Sequence, residues 1–390
     1  MIYKPFQDMR LSHLGMGNMR LPTVAERGPI DERKAREIIE YAYEHGVNYF
    51  DTAYRYHNGE SEPFVSRVLR QYPRDSWYLA TKMPGHMMEY RQGRLHFKGY
   101  LAGHTMNAPA DIFEDQLERC GVEYFDFYLL HNLCETAYGF YTDEDLAVVE
   151  YLLAQKKAGR IRHLGFSAHG RADTIEQFLN WKDCFEFAQI QLNYLDWTLQ
   201  DAKAKYELLT RRGIPVIVME PVRGGRLATL GGEAAAILQG ACPGQTPASW
   251  AFRFLQALPN VAVVLSGMTT LEQLRENIEL FDRPQPLTEA DRDALRRVAA
   301  LLADAVPCTA CRYCCEACPA GLDIPKLISM YNEARYDASL LRTFTLGAMA
   351  AAQLPSACLA CGACVQLCPQ GIDIPEVMGK FSALLEGFKS

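Results

Sequence analysis

The sequence predicts an α/β chain in two parts: a (β/α)8 TIM barrel over residues 1–305 and a smaller, mainly helical, cysteine-rich domain over 306–390. Three observations predict it. From about residue 10 to residue 282, short β-rich apolar runs alternate with longer segments of helical period, the pattern of parallel strands joined by crossover helices. Eight such runs occur, in a stretch close to the ~250 residues that these barrels take. Nine of the thirteen cysteines fall after residue 307.

Residues 1 to 9 read as a small hairpin closing the barrel floor. The eight strand runs are His13 to Met16, Val47 to Phe50, Trp77 to Thr81, Phe125 to Leu130, Ile161 to Phe166, Phe187 to Gln191, Val216 to Met219 and Val261 to Leu265. Helices are expected at Glu32 to Glu44, Glu60 to Arg70, Ala110 to Cys120, Asp143 to Gly159, Ala172 to Asn180, Gln200 to Arg212, Thr246 to Ala257 and Leu271 to Leu280. A doubly wound sheet is the competing fold, since Gly15-Met16-Gly17 begins like a dinucleotide fingerprint. Arg20 stands where the third glycine belongs, however, and Pro22 where a helix should open. The pattern breaks at Arg283-Pro284-Gln285-Pro286, and Leu287 to Ala305 reads as one more helix before Pro307.

Composition narrows the function classes. The formal charge is −7 and basic residues form no runs, so nucleic acid is not an expected partner. With 49% apolar residues the chain can bury a substantial core. No 18 apolar residues run together, so no membrane span is expected. Lys4, Asp8 and Arg10 interrupt the apolar stretch that a signal peptide requires, and a cytoplasmic location with reduced thiols is expected.

The cysteines form a repeat. Cys308, Cys311, Cys314 and Cys318, and again Cys358, Cys361, Cys364 and Cys368, run C-x2-C-x2-C-x3-C-P and then reach G-x-D-I-P. Three thiolates around one tight loop, with a fourth directed away, suit a cubane. The motif resembles that of bacterial-type two-cluster ferredoxins, in which the fourth cysteine ligates the other cluster. Two 4Fe-4S clusters are implied, one on Cys308, Cys311, Cys314 and Cys368, the other on Cys358, Cys361, Cys364 and Cys318. A pair of zinc sites is the alternative, although zinc usually takes two separated C-x2-C pairs. Cys315 is an extra thiol, read as an inert neighbour rather than an alternative ligand. The 39 residues between Cys318 and Cys358 have helical spacing, so the module resembles helical ferredoxin-like domains.

In a barrel of this kind chemistry sits where strands end, and the first polar residues after the apolar runs are Asp51, Lys82, His131, Ser167, Gln191 and Glu220. The segments Asp51-Thr52-Ala53 with Tyr56, Trp77 to Thr81 ending at Lys82, Phe125 to His131, and Ile161 to Ser167 together resemble the aldo-keto reductase superfamily over residues 1–305. The resemblance implies a catalytic tetrad of Asp51, Tyr56, Lys82 and His131. A proton donor and a stabilising field are what carbonyl reduction requires. A lysine cation acidifies a neighbouring phenol, and a carboxylate holds the lysine in place.

The same resemblance implies NADPH or NADH. Ser167 and Gln191 match positions that hydrogen-bond the nicotinamide carboxamide; the family often has asparagine after that serine, where this chain has Ala168. The run of Glu220, Arg223, Gly224, Gly225 and Leu227 matches the loop over the pyrophosphate, without the aromatic ring that commonly stacks on the nicotinamide near Met219 or Glu220. Gly267, Thr269, Gln273 and Asn277 match the adenosine-binding turn and helix. Gly267 and Gln273 stand where NADPH-specific members carry Lys and Arg, so either nucleotide is compatible.

Two stretches leave the expected active face as long loops: Met83 to Pro109, with His86, His96, His104, Tyr90, Phe97 and Tyr100, and Asn132 to Tyr141, with Tyr138, Phe140 and Tyr141. Such loops shape substrate access, and their rings suit a cyclic or sugar-like ligand; insertions without a role are the alternative. The expected function is NAD(P)H-dependent interconversion of a carbonyl and an alcohol, with clusters serving one-electron transfer to a redox partner, sensing or structure. The alternative is an electron-transfer or redox-sensory protein whose barrel binds nucleotide without turnover. Nicotinamide moves two electrons and each cluster one, and no flavin motif is present to split them.

Overall fold

The computed structural model describes residues 1–25, 28–98, 105–200, 202–302, 305–336 and 349–387. It divides into two compact units, Met1–Ala300 and Leu301–Ser390.

The first unit opens with an antiparallel hairpin, β1 (Tyr3–Phe6) and β2 (Met9–Ser12), three residues longer than the sequence suggests. Eight parallel strands then close on themselves in chain order: β3 (Leu14–Gly17), β4 (Tyr49–Asp51), β5 (Tyr78–Met83), β9 (Phe125–Leu133), β10 (Ile161–Ala168), β11 (Ala188–Gln191), β12 (Val216–Met219) and β13 (Val261–Ser266). The last pairs with the first through Val264 and Leu14. Each of the eight expected runs contributes one of these strands.

The crossover helices form for local reasons. In Glu32–Glu44, Asp31 caps the first turn by accepting from the Lys34 backbone N–H, and Ala35, Ile38, Ile39 and Ala42 bury one face at helical spacing. A helix the sequence reading missed, Gly232–Ala241, precedes Pro247–Gln256. Its run of small residues buries only Ala234 and Leu238, so it carries little periodic signal.

The barrel interior is filled by rings. Phe127, Phe187, Tyr49 and Phe6 form its lower layer with Leu129, Ile217 and Val263. The Phe6 ring lies 5.3 Å from that of Phe127, 5.1 Å from His163 and 6.2 Å from Phe187, so the hairpin plugs the end where the strands begin. Glycines make room inside: a Cβ on Gly165 would stand 2.5 Å from the Phe187 carbonyl oxygen, and one on Gly15 would stand 2.6 Å from Val263 Cγ1.

The stretch after β5 is not the loop that was expected. Around Gln92-Gly93, both at positive φ, the chain folds β6 (Met88–Arg91) against β7 (Arg94–Phe97), and β8 (Thr105–Met106) adds to the far edge. Positive φ at both turn residues matches the twist of a two-residue hairpin. His104 and Tyr100 lie outside the described residues.

The second unit packs helices Ile324–Tyr336 and Ile374–Gly387 around Ile324, Leu327, Ile328, Met378 and Phe381. Of the region between the two cysteine runs, residues 337–348 lie outside the described set. Among the described residues no helix is long and apolar enough to cross a membrane.

Phe6→Ala removes the floor plug and is expected to destabilise the barrel by about 3–5 kcal/mol. Urea unfolding followed by tryptophan fluorescence reads this directly, and an unchanged midpoint would contradict the packing role.

Candidate active site and cluster ligands

Because the eight strands run parallel, their C-terminal ends meet at one rim, which brings Asp51, Lys82, His131, Ser167 and Gln191 to the same end of the cylinder. Lys82 is fully buried, and its ammonium donates to both Asp51 carboxylate oxygens at 2.6 Å and to the Thr52 carbonyl at 2.7 Å. Three acceptors match its three N–H groups. Burial still draws the lysine below its ordinary pKa and pushes the Asp51 carboxyl above its own, each opposed by the other's charge.

Tyr56 starts a short turn, Tyr56–Gly59, in which His57 and Asn58 have positive φ. The His57 Nε2 accepts from the Leu21 backbone N–H at 3.1 Å and pins that turn. The Lys82 ammonium lies 5.2 Å from the Tyr56 ring centre, and the His131 ring stands 6.2 Å from Tyr56, nearly perpendicular to it. The four residues expected to form the tetrad are thus neighbours.

His131 is held neutral. Burial lowers its pKa well below the usual imidazole value, and the nearby His86, Lys82, His169 and Arg55 push the same way. The His86 ring sits 4.5 Å from it, and its carbonyl accepts from the Tyr141 hydroxyl at 2.7 Å. Residues of both expected access loops therefore brace His131. The positions of His86 and Tyr141 in the sequence carried no sign of that contact.

At the edge between β9 and β10 the register slips. Phe166 pairs with Leu130 and Ala168 with Leu133, so His131 and Asn132 together face Ser167. Asn132 has φ 59°, its backbone N–H donates to the Ser167 hydroxyl at 2.8 Å, and its side-chain oxygen is buried without a partner among the described residues.

Gln191 belongs to a buried network that the sequence did not reveal. Its amide nitrogen donates to Asp196 at 2.8 Å, as does that of Asn193 at 2.6 Å, and the Arg223 Nε lies 3.0 Å from the same carboxylate. Arg223 is 1% exposed, and its two terminal nitrogens have no partner among the described residues. Glu220 and Arg223 have positive φ, as do Gly224 and Gly225, and no atom lies within 4 Å of where a Cβ on Gly225 would stand. Two orphaned buried guanidinium donors beside a glycine turn fit a phosphate-bearing group. Burial raises the Glu220 carboxyl pKa, and Leu227 is packed into the core.

The adenosine-turn residues make bonds of their own. Gln273 accepts from the Thr269 backbone N–H at 2.9 Å and, with Thr270, caps helix Leu271–Asp282. Asn277 donates to Ser266 at 3.1 Å, and the Arg20 stem covers Gly267.

In the second unit the thiols line two apolar cavities. One is bounded by Cys358, Cys361, Cys364 and Cys318, the other by Cys308, Cys311, Cys314 and Cys368; Cys315 lines neither. Ala310 and Arg312 in the first run, like Ala360 and Gly362 in the second, have positive φ, which curls each loop around its cavity. Among the described residues no three His, Cys, Asp or Glu side chains converge as a single metal ion requires. Four sulfurs around an apolar space fit a cubane.

Comparison with known proteins adds to this geometry. Residues 13–300 match the model of the aldo/keto reductase family and residues 307–372 that of a 4Fe-4S dicluster domain. The chain is 27% identical to the NADH-specific methylglyoxal reductase of Escherichia coli (strain K12), over 76% of this chain and 97% of that protein. It is 24% identical to L-galactose dehydrogenase of Arabidopsis thaliana, over 75% and 91%. The holo form of an aldo-keto reductase from Bacillus halodurans superposes with a TM-score of 0.60 at 26% identity, over 76% of this chain and 96% of that one.

His86 and His169 are pushed down to about 3 and about 4 by burial. The unfolded chain protonates them first, so their contribution is complete above pH ~6.5 and is lost as the pH falls towards those values. The melting temperature is expected to drop between pH 7 and pH 5, and His86→Asn to flatten that drop. A parent profile that is level over the window would refute the buried neutral rings.

Proposed function

The chain belongs to the aldo/keto reductase family, and from that premise we propose that it reduces a small carbonyl compound to an alcohol with NADH or NADPH, with Tyr56 as the proton donor. The observation that carries this reading is the Lys82 ammonium, held by Asp51, 5.2 Å from the Tyr56 ring. The bound nicotinamide would supply the hydride.

The chain's own groups do the rest. As negative charge grows on the carbonyl oxygen, the Tyr56 hydroxyl passes its proton to that atom. The phenolate left behind is stabilised by the ammonium beside it. Asp51 fixes the ammonium, so the field is present before the substrate arrives. Neutral His131 donates an N–H to the same oxygen and orients it without adding a formal charge that would compete for the proton. Arg223, with Gly224 and Gly225, would receive the pyrophosphate on its orphaned donors. Ser167 and Gln191 would lie near the nicotinamide, and Thr269, Gln273 and Asn277 near the adenosine.

In our reading the carbonyl belongs to a compact aldehyde or ketone or to a sugar. The names of the relatives, one acting on methylglyoxal and one on L-galactose, support the same class. The 307–372 match supports iron–sulfur clusters. In our reading each cluster takes three cysteines from one run and the fourth from the other, and exchanges single electrons with a redox partner.

Tyr56→Phe is expected to lower kcat for NADH or NADPH oxidation against an aldehyde panel by at least about 100-fold while leaving nucleotide affinity unchanged. Activity that survives the substitution would remove the assigned acid. Anaerobic purification is expected to yield about eight iron and eight acid-labile sulfide per chain; zinc without sulfide would overturn the cluster assignment.

A further inference from the structure

The residues expected to grip the nicotinamide carboxamide are largely committed elsewhere. The Gln191 amide nitrogen donates to Asp196 at 2.8 Å, and the side chain is also hydrogen-bonded to the His169 ring. The Ser167 hydroxyl accepts the Asn132 backbone N–H at 2.8 Å. Ala168 has no polar side chain to offer.

One side chain at this rim has the opposite property. Asn132 is 6% exposed, and its amide oxygen is buried without a hydrogen-bond partner among the described residues. Its φ of 59° is one that asparagine tolerates better than most residues. The slip between β9 and β10 sets two residues, His131 and Asn132, against the single Ser167, and bulges of this kind re-aim side chains beside active sites. An unmet buried acceptor is costly, and a carboxamide supplies two N–H donors.

We propose that Asn132, set with its neighbour His131 against Ser167 by the bulge, accepts a hydrogen bond from the nicotinamide carboxamide and takes over the contact that Ala168 cannot make. The proposal rests on the nucleotide-dependent reading above. The bulge, rather than the end of β10, then fixes the nicotinamide ring in register with Tyr56.

The test is calorimetric titration of the full-length, cluster-loaded protein with NADH, NADPH, ADP-ribose and the reduced 3-acetylpyridine analogue of NADH, whose acetyl group has no N–H. Asn132→Gly keeps the positive φ available and removes the amide; Asn132→Ala repeats the deletion with a Cβ retained. Both are expected to weaken NADH and NADPH binding roughly 3- to 10-fold, and to leave ADP-ribose and the acetyl analogue unchanged. Equal weakening of all four ligands, or of none, would overturn the proposal. A parent protein that binds ADP-ribose but no dinucleotide would overturn it too. A parent that binds none of the four would instead bring down the nucleotide-dependent reading, and this proposal with it.

Discussion

The contact between Lys82 and Asp51 sets the conditions that the rest of the barrel must meet. An ammonium and a carboxylate removed from water lose several kcal/mol of hydration each, which their attraction offsets only when geometry is close and the remaining donors are satisfied. Here both carboxylate oxygens and the Thr52 carbonyl take the three ammonium protons. That arrangement requires β4 and β5 to be in one register, with Asp51 opposite Ala80 and Lys82 two residues further on. It also requires the cylinder to be closed and dry beneath the pair. The ring layer of Phe127, Phe187 and Tyr49, sealed below by Phe6, provides this.

A closed scaffold of this kind announces itself in sequence because each strand is buried on both faces, so all eight left an apolar run that could be read without coordinates. Asp51, Lys82 and His131 were legible because they end such runs in the order and motif context that resembles the aldo-keto reductases; any one of them alone fits a buried pair or a cap as well as chemistry. Features built by the backbone were not legible. The slip that sets both His131 and Asn132 against Ser167 depends on one extra residue in β9, which no periodicity reports. Asp196 gathers Gln191 and Asn193 from its own stretch and Arg223 from 27 residues further on, and such a meeting point is invisible until the chain is folded. The β6–β7 hairpin was missed although Gln92-Gly93 was present, because the flanking runs Met88–Arg91 and Arg94–Phe97 carry charges that mask their alternation.

The expected adenosine-site residues teach a different lesson. Thr269, Thr270 and Gln273 form a capping arrangement at helix Leu271–Asp282. The same residue types serve helix ends and ligand binding, so a motif match at that point describes local geometry as much as recognition.

In the second unit, each cavity draws three thiols from one cysteine run and a fourth from the other. The two halves are interlocked, so neither can be completed in isolation. Closing either cavity therefore requires both cysteine runs to be folded, so a change in one run reaches the lining of the other cavity as well as its own.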